Sequence, residues 1–301
     1  MTREDIEFQG EGGVTLRGWF YHAQNATIPA PAIVMTHGMT AVKEMHLDDY
    51  AEVFAEAGLN VVVYDHRNFG ASDGTPRQEN DPVLQHRDIR NAISYAITRP
   101  EVDGSKIGLW GTSFAGGHAL LVAAVDRRVK AVVSQVPFIS GSRQLSSAVR
   151  PDFTSHLRDQ FHGDRLNRFT GGDPAVIPAI TPDPTEPAMM AATDAYEWFS
   201  KTSADRAPSW ENAVTARSLE WASEYEPGSY ISRISPTPLL MLVADEDTVA
   251  PFQFALDAYE AAREPKEIKV LHGGHFDAYG GPGFDECASA ARDHFVKQLR
   301  T

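Results

Sequence analysis

A single cysteine, Cys287, stands among 301 residues. One thiol excludes an intramolecular disulfide framework and any zinc site built on cysteines. Cys287 is expected to be a small filler on the last helix. Long apolar runs are missing too. Short pieces such as residues 32–35 and 239–244 are the longest, far below the roughly 20 residues that a membrane-spanning helix needs. The opening residues, 1–8, alternate in charge and lack the apolar centre of a signal peptide. A cytoplasmic location without membrane association is therefore expected. Positive charge is scarce: 27 Lys and Arg face 41 Asp and Glu, a net charge of −14. No basic cluster suited to gripping phosphates appears, so no nucleic-acid partner is expected. The diffuse acidity reads as a solvated surface that keeps the chain in solution.

What the sequence does contain is alternation. Short apolar runs at 32–36, 60–65, 106–111, 129–136, 238–244 and 267–271 are separated by longer amphipathic stretches. Several runs are apolar almost throughout, as strands covered on both faces of a parallel sheet must be. Between them Leu47, Tyr50, Ala51, Phe54 and Ala57 recur at helical spacing, as do Ile89, Ala92, Ile93 and Ala96. Strand alternating with helix predicts a doubly wound α/β domain. Residues 6–8 and 14–21, joined through Glu11-Gly12-Gly13, predict an antiparallel hairpin at its edge.

The alternation stops after Phe138 and resumes near Ser235. The stretch between is rich in proline and holds Trp198, Trp210 and Trp221. Helices are expected at 188–200 and at 210–225, the second capped by Ser209. The reading is a core of residues 1–138 and 236–301, with residues 139–235 inserted between the sixth and seventh strands as a helical cap. On the first cap helix Met189, Ala192, Tyr196 and Phe199 share an apolar stripe, and Trp198 points away from it. A pocket under the cap or a subunit interface would receive that ring. Trp210, Ala213, Val214 and Trp221 share one stripe expected to pack against the sheet or a neighbouring helix, so a homo-oligomer is left open by Trp198 alone.

The strongest chemical signal is Gly111-Thr112-Ser113-Phe114-Ala115-Gly116-Gly117, directly after the strand at 106–111 and opening a helix through Leu120, Leu121 and Ala124. A serine at such a turn projects its hydroxyl only from a strained backbone, and the residues two positions away must be small. Gly111 and Ala115 are. A phosphate loop would need a lysine here, and none follows. A serine hydroxyl needs a base to become a nucleophile. Among 11 histidines, His275 follows the last strand in His272-Gly273-Gly274-His275-Phe276; His272 competes but lies nearer the strand. The orienting acid should leave the preceding strand end, where Asp245, Glu246 and Asp247 stand, and Asp247 is deepest in the turn. Donors for a developing oxyanion are expected from the backbone N–H of Phe114 and of Met39, in the loop His37-Gly38-Met39-Thr40. His37 is read as a support under that loop. No metal site and no cofactor are expected.

Thr36-His37-Gly38, residues 64–74 (Tyr-Asp-His-Arg-Asn-Phe-Gly-Ala-Ser-Asp-Gly), Gly108 to Ser113 and Gly274-His275-Phe276-Asp277 together resemble α/β-hydrolases across nearly the whole chain. The resemblance is nearest to the polyketide-transferase-like and dienelactone-hydrolase-like serine hydrolases, and residues 41–45 and 136–141 share it. It implies an α/β-hydrolase fold with a mostly parallel twisted sheet flanked by helices, and a triad in the order Ser113, Asp247, His275. It also implies an acyl substrate bound as an ester, thioester or lactone; a pocket walled by Trp198 would make this small molecule hydrophobic, with a bulky acyl group preferred over acetate-sized esters. Ala115 departs from the usual glycine. Asp65, Arg67 and Asp73 are read as shaping the floor of the site. Hydrolysis of an ester or lactone is the leading expectation. Acyl transfer or thioester cleavage by the same intermediate, peptide cleavage, and a non-catalytic binding protein on this fold are the alternatives.

Overall fold

Strand β1 (Arg3–Gln9) turns through a short 3-10 segment, Glu11–Gly13, into β2 (Thr15–Tyr21), giving the antiparallel edge hairpin. The structure is a computed structural model that describes residues 3–183 and 185–300; Met1, Thr2, Pro184 and Thr301 lie outside the described residues. The chain continues as β3 (Ala30–Thr36), α1 (Leu47–Glu56), β4 (Asn60–Tyr64), α2 (Pro82–Thr98), β5 (Val102–Thr112), α3 (Phe114–Val125) and β6 (Val129–Gln135). An inserted region follows: α4 (Gly141–Ala148), α5 (Thr154–Phe169), β7 (Val176–Ile177), α6 (Thr193–Asp205), β8 (Val214–Thr215) and α7 (Ala216–Glu224). The sheet then resumes with β9 (Leu239–Ala244), α8 (Phe252–Ala261), β10 (Lys266–Leu271) and α9 (Gly281–Leu299).

Eight strands form one sheet in the order β1-β2-β4-β3-β5-β6-β9-β10. The β1/β2 and β2/β4 pairs are antiparallel and the others parallel. Side chains alternate across it, as strand geometry demands. Val34, Val62, Leu109, Val132 and Met241 pack on one face with α2, α3 and α8. Ile33, Met35, Val63, Trp110, Val133 and Leu242 pack on the other with α1 and α9. With both faces covered, every position of β3, β4 and β9 is buried, which is why those runs read as continuously apolar. Burying each such Val, Leu or Ile contributes about 1.5–3 kcal/mol. All parallel strands end at the same edge, and the loops carrying Gly38, Ser113, Asp247 and His275 leave from it.

The inserted region corrects the sequence reading in detail. Residues 188–192 are not helical: Met189 and Met190 donate their backbone N–H groups to the carbonyls of Pro178 and Ala179, and α6 starts only at Thr193. Pro187, unable to continue a helix ladder, precedes that extended run. Residues 214 and 215 pair with β7 as a ribbon, so α7 begins at Ala216, with Thr215 and not Ser209 at its N-cap. Trp210 therefore lies in a loop, outside any helical stripe. Helices α4 and α5 were not anticipated; α5 buries only Phe161 and Asp164, too little apolar periodicity to register. At both ends the region merges with the core, since Ile139, Ile231 and Ile234 join the cluster on α3. No helix among the described residues is long and apolar enough to cross a membrane.

Candidate active site

Ser113 joins β5 to α3 with φ 56° and ψ −121°, a conformation L-residues avoid and that surrounding bonds must hold. Its N–H donates to the Gln135 carbonyl (2.9 Å), and its own carbonyl accepts from Phe138 (2.9 Å) and Gly117 (3.2 Å). A Cβ on Gly111 would fall 2.1 Å from the Ala115 carbonyl oxygen, so that glycine is obligatory. Ala115 itself is fully buried and its methyl is accommodated. Behind the serine, Thr112 Oγ1 and the Tyr279 hydroxyl share a 2.5 Å hydrogen bond; burial raises the Tyr279 pKa.

The loop after β3 crosses directly over the serine. A Cβ on Gly38 would sit 3.0 Å from Ser113 Cβ and 3.4 Å from its Oγ. The Gly38 carbonyl accepts from His37 Nδ1–H (2.9 Å) and from the Ala41 N–H (3.4 Å). Because a trans peptide points its C=O and N–H in opposite directions, gripping that carbonyl aims the Met39 N–H away from both donors. His37 Nε2 in turn accepts the His66 N–H at 2.9 Å. His37 is thus held as the neutral Nδ1–H tautomer, and burial lowers its pKa, in keeping with a support. The first N–H of α3, that of Phe114, has no acceptor within its own helix.

His275 opens a 3-10 turn, His275–Tyr279, after β10. Its Nδ1–H donates to Asp247 Oδ2 at 2.7 Å, with both side chains almost wholly buried (2% and 1% exposed). The other oxygen of Asp247 accepts the N–H groups of Val249 (2.9 Å) and Ala250 (2.6 Å). The competing pair lies outside: His272 Nδ1 meets Asp245 Oδ2 at 2.6 Å, with the His272 ring 90% exposed. Their hydrogen bond raises the His272 pKa and lowers that of Asp245.

Ser113, Gly38, Met39 and His275 line one cleft, whose remaining walls include Met190, Trp198, Phe199, Phe276 and Tyr279. Its volume is only about 20 Å³, room for little more than a water molecule. Trp198 stacks on Phe276 with ring centres 5.0 Å apart, so the ring that the sequence reading turned away from the core stripe does face the cleft. Phe199, assigned to that core stripe, lines it as well. Phe276, quoted in the motif but given no role there, and Tyr279 are further wall residues; their place one and four residues after His275 is the signal that finds them. Of the three residues read as floor, only Asp65 reaches the loop after β3, accepting from Lys43 N–H (2.8 Å) and Lys43 Nζ (2.7 Å). Arg67 turns to Asp88 on α2 (2.6 Å) and Asp73 to Arg17 on β2 (2.6 Å). Among the described residues no group of His, Cys, Asp and Glu is placed to hold a metal ion.

The sheet order, the serine on its strained turn and the buried acid–histidine pair define a protein class, and the α/β-hydrolase-fold family profile matches residues 31–282. The chain belongs to that family. It is similar to the quorum-quenching protein AidA of Acinetobacter baumannii, 36% identical over 298 residues that cover 98% of this chain and 94% of that one. A thiohydrolase of Eupenicillium brefeldianum is 31% identical over 302 residues, covering 99% and 95%. Among solved structures, the α/β hydrolase GrgF from Penicillium sp. superposes with a TM-score of 0.86 at 28% identity, each chain covered fully (100%).

Proposed function

We propose that this chain is a serine hydrolase that cleaves a carboxylic ester, lactone or thioester through an acyl-enzyme on Ser113. The observation that carries the reading is the buried 2.7 Å Asp247–His275 pair, opening on the same cleft as a serine held at φ 56° under Gly38. As Ser113 Oγ attacks the acyl carbon, its proton passes to His275 Nε2, and Asp247 stabilises the imidazolium through Nδ1. The N–H groups of Met39 and Phe114, with the N-terminal dipole of α3, receive the oxyanion. Collapse breaks the acyl C–O or C–S bond, and the leaving group takes the proton from His275. Water then repeats the sequence, giving the carboxylic acid and free Ser113. The name of the thiohydrolase relative supports thioesters beside oxygen esters. The aromatic walls, Trp198 among them, suit an apolar acyl group.

A fluorophosphonate probe tests the reading. It should label the protein at Ser113, located by peptide mass spectrometry. Ser113→Ala should abolish labelling and lower ester turnover by on the order of a thousandfold or more, leaving binding and oxyanion contributions. Near-native turnover by Ser113→Ala would sink the proposal.

A further inference from the structure

Trp210 lies in the loop between α6 and β8, and its indole Nε1–H donates to the carbonyl of Thr40 at 2.8 Å. Thr40 is fully buried at φ 60°, a left-handed backbone that a β-branched residue adopts only under constraint. Its own hydroxyl has no hydrogen-bond partner among the described residues, so its side chain does not supply that constraint. The carbonyl that Trp210 grips belongs to the same peptide plane as the Ala41 N–H. That N–H donates to the Gly38 carbonyl, and the Gly38 carbonyl shares its plane with the Met39 N–H. Two rigid planes thus connect the indole to the expected oxyanion donor. On its other side Trp210 packs against Phe199, ring centres 5.3 Å apart. Phe199 lines the cleft around Ser113, whereas Trp210 is not among the described residues that do.

We propose that Trp210 is a positioning residue, which holds the Met39 N–H toward the oxyanion through Thr40 and Ala41 and couples it to the aromatic wall that receives the acyl group. The inference rests on the acyl-serine reading above.

The test compares Trp210→Phe with Trp210→His on a short ester whose acyl group does not reach Phe199. Phenylalanine keeps the apolar ring but has no N–H; histidine keeps a ring N–H but is smaller and more polar. Trp210→Phe should lower kcat about tenfold, a fraction of the roughly 10²–10³ lost when an oxyanion donor is removed outright. KM should stay within about twofold, and the rates of fluorophosphonate labelling, acylation and deacylation should fall by one common factor, since each passes through an oxyanion. Trp210→His should retain more kcat than Trp210→Phe. A purely packing role predicts the reverse order, and that order, or unchanged kcat and labelling in Trp210→Phe, would overturn the inference. Melting curves on both variants establish that each is folded; if Trp210→Phe does not fold, the labelling rate of Trp210→His set against that of Phe199→Leu decides, because a packing role makes the two losses alike. Retained turnover in Ser113→Ala would instead defeat the underlying reading.

Discussion

The carboxylate of Asp247 has each oxygen committed: one to the imidazole, the other to two backbone N–H groups of the turn that follows. An amide in its place cannot satisfy both sides. If its oxygen stays with the Val249 and Ala250 N–H groups, its NH₂ faces a ring N–H and forces the other tautomer, which leaves no lone pair toward Ser113. Asp247→Asn should therefore cost about 10⁴-fold in kcat at an unchanged fold. Asp245→Asn breaks an exposed pair with His272 and should stay within a few-fold, because surface ion pairs contribute little. Steady-state kinetics on both variants checks the assignment; a loss in Asp245→Asn as deep as that in Asp247→Asn would move the acid. These residues were legible because each follows directly from a strand end, where local sequence dictates position. The choice of Asp247 over Asp245, read from its place deepest in the turn, has its counterpart in the folded loop: the Asp245 N–H is tied back to the Leu271 carbonyl (3.1 Å), and its side chain meets the exposed His272 instead.

Helices and strands that depend on burial from both sides announced themselves; those that depend on neighbours did not. The apolar runs of β3, β4 and β9 and the stripe of α1 located the core elements to within a few residues. In the inserted region a ribbon of two-residue strands and the extended stretch before α6 are stabilised by bonds to residues distant in sequence, such as Ile180 with Asn212 (2.9 Å), which no periodicity records. Helix α6 is fastened at its end by Arg206, which reaches Asp48 and Asp49 on α1 at 2.6 Å each. That fastening presents Trp198 and Phe199 to the cleft. With Trp198 against Phe276, Tyr279 and Phe199, a long or aromatic acyl group meets the indole and a short one does not. Trp198→Ala should lower kcat/KM for long-chain esters roughly tenfold while short esters change by less than about twofold, a discrimination of the size apolar contacts provide. A chain-length series of nitrophenyl esters measures it. An unaltered profile would show that the acyl chain does not lie against this ring.

At the scale of the whole molecule, the polar interior beneath the loop after β3 ties stability to pH. His37, His66 and His118 are fully buried in a row, with ring centres 4.6 Å and 5.7 Å apart. His118 is held between the Tyr225 hydroxyl (2.8 Å) and Gln85 (3.1 Å), joining α3 to α2 and to the end of α7. Burial, reinforced by the neighbouring rings, holds His66 and His118 well below the usual histidine pKa, and burial also lowers His37. The unfolded chain has no such restriction, so below its ordinary histidine pKa it binds protons that the folded chain refuses. Stability is then full above that pKa and falls as the pH drops through it. For a histidine kept neutral in the fold, the loss between pH 7.5 and pH 5.5 is on the order of 1 kcal/mol, so His66 and His118 together account for a few kcal/mol. Urea unfolding at the two pH values should show a drop of at least that order. His118→Gln removes one of the two groups while leaving a hydrogen-bonding side chain, and should reduce the pH-dependent drop by one histidine's share, on the order of 1 kcal/mol, whatever it does to stability at pH 7.5. The same drop in His118→Gln as in the parent would mean that His118 takes up its proton in the fold as it does in the unfolded chain, which the Tyr225 and Gln85 contacts allow only with the tyrosine as acceptor. The drop would then rest on His66 and His37, because solvated carboxylates, with ordinary pKa values of about 4, stay ionised throughout this window.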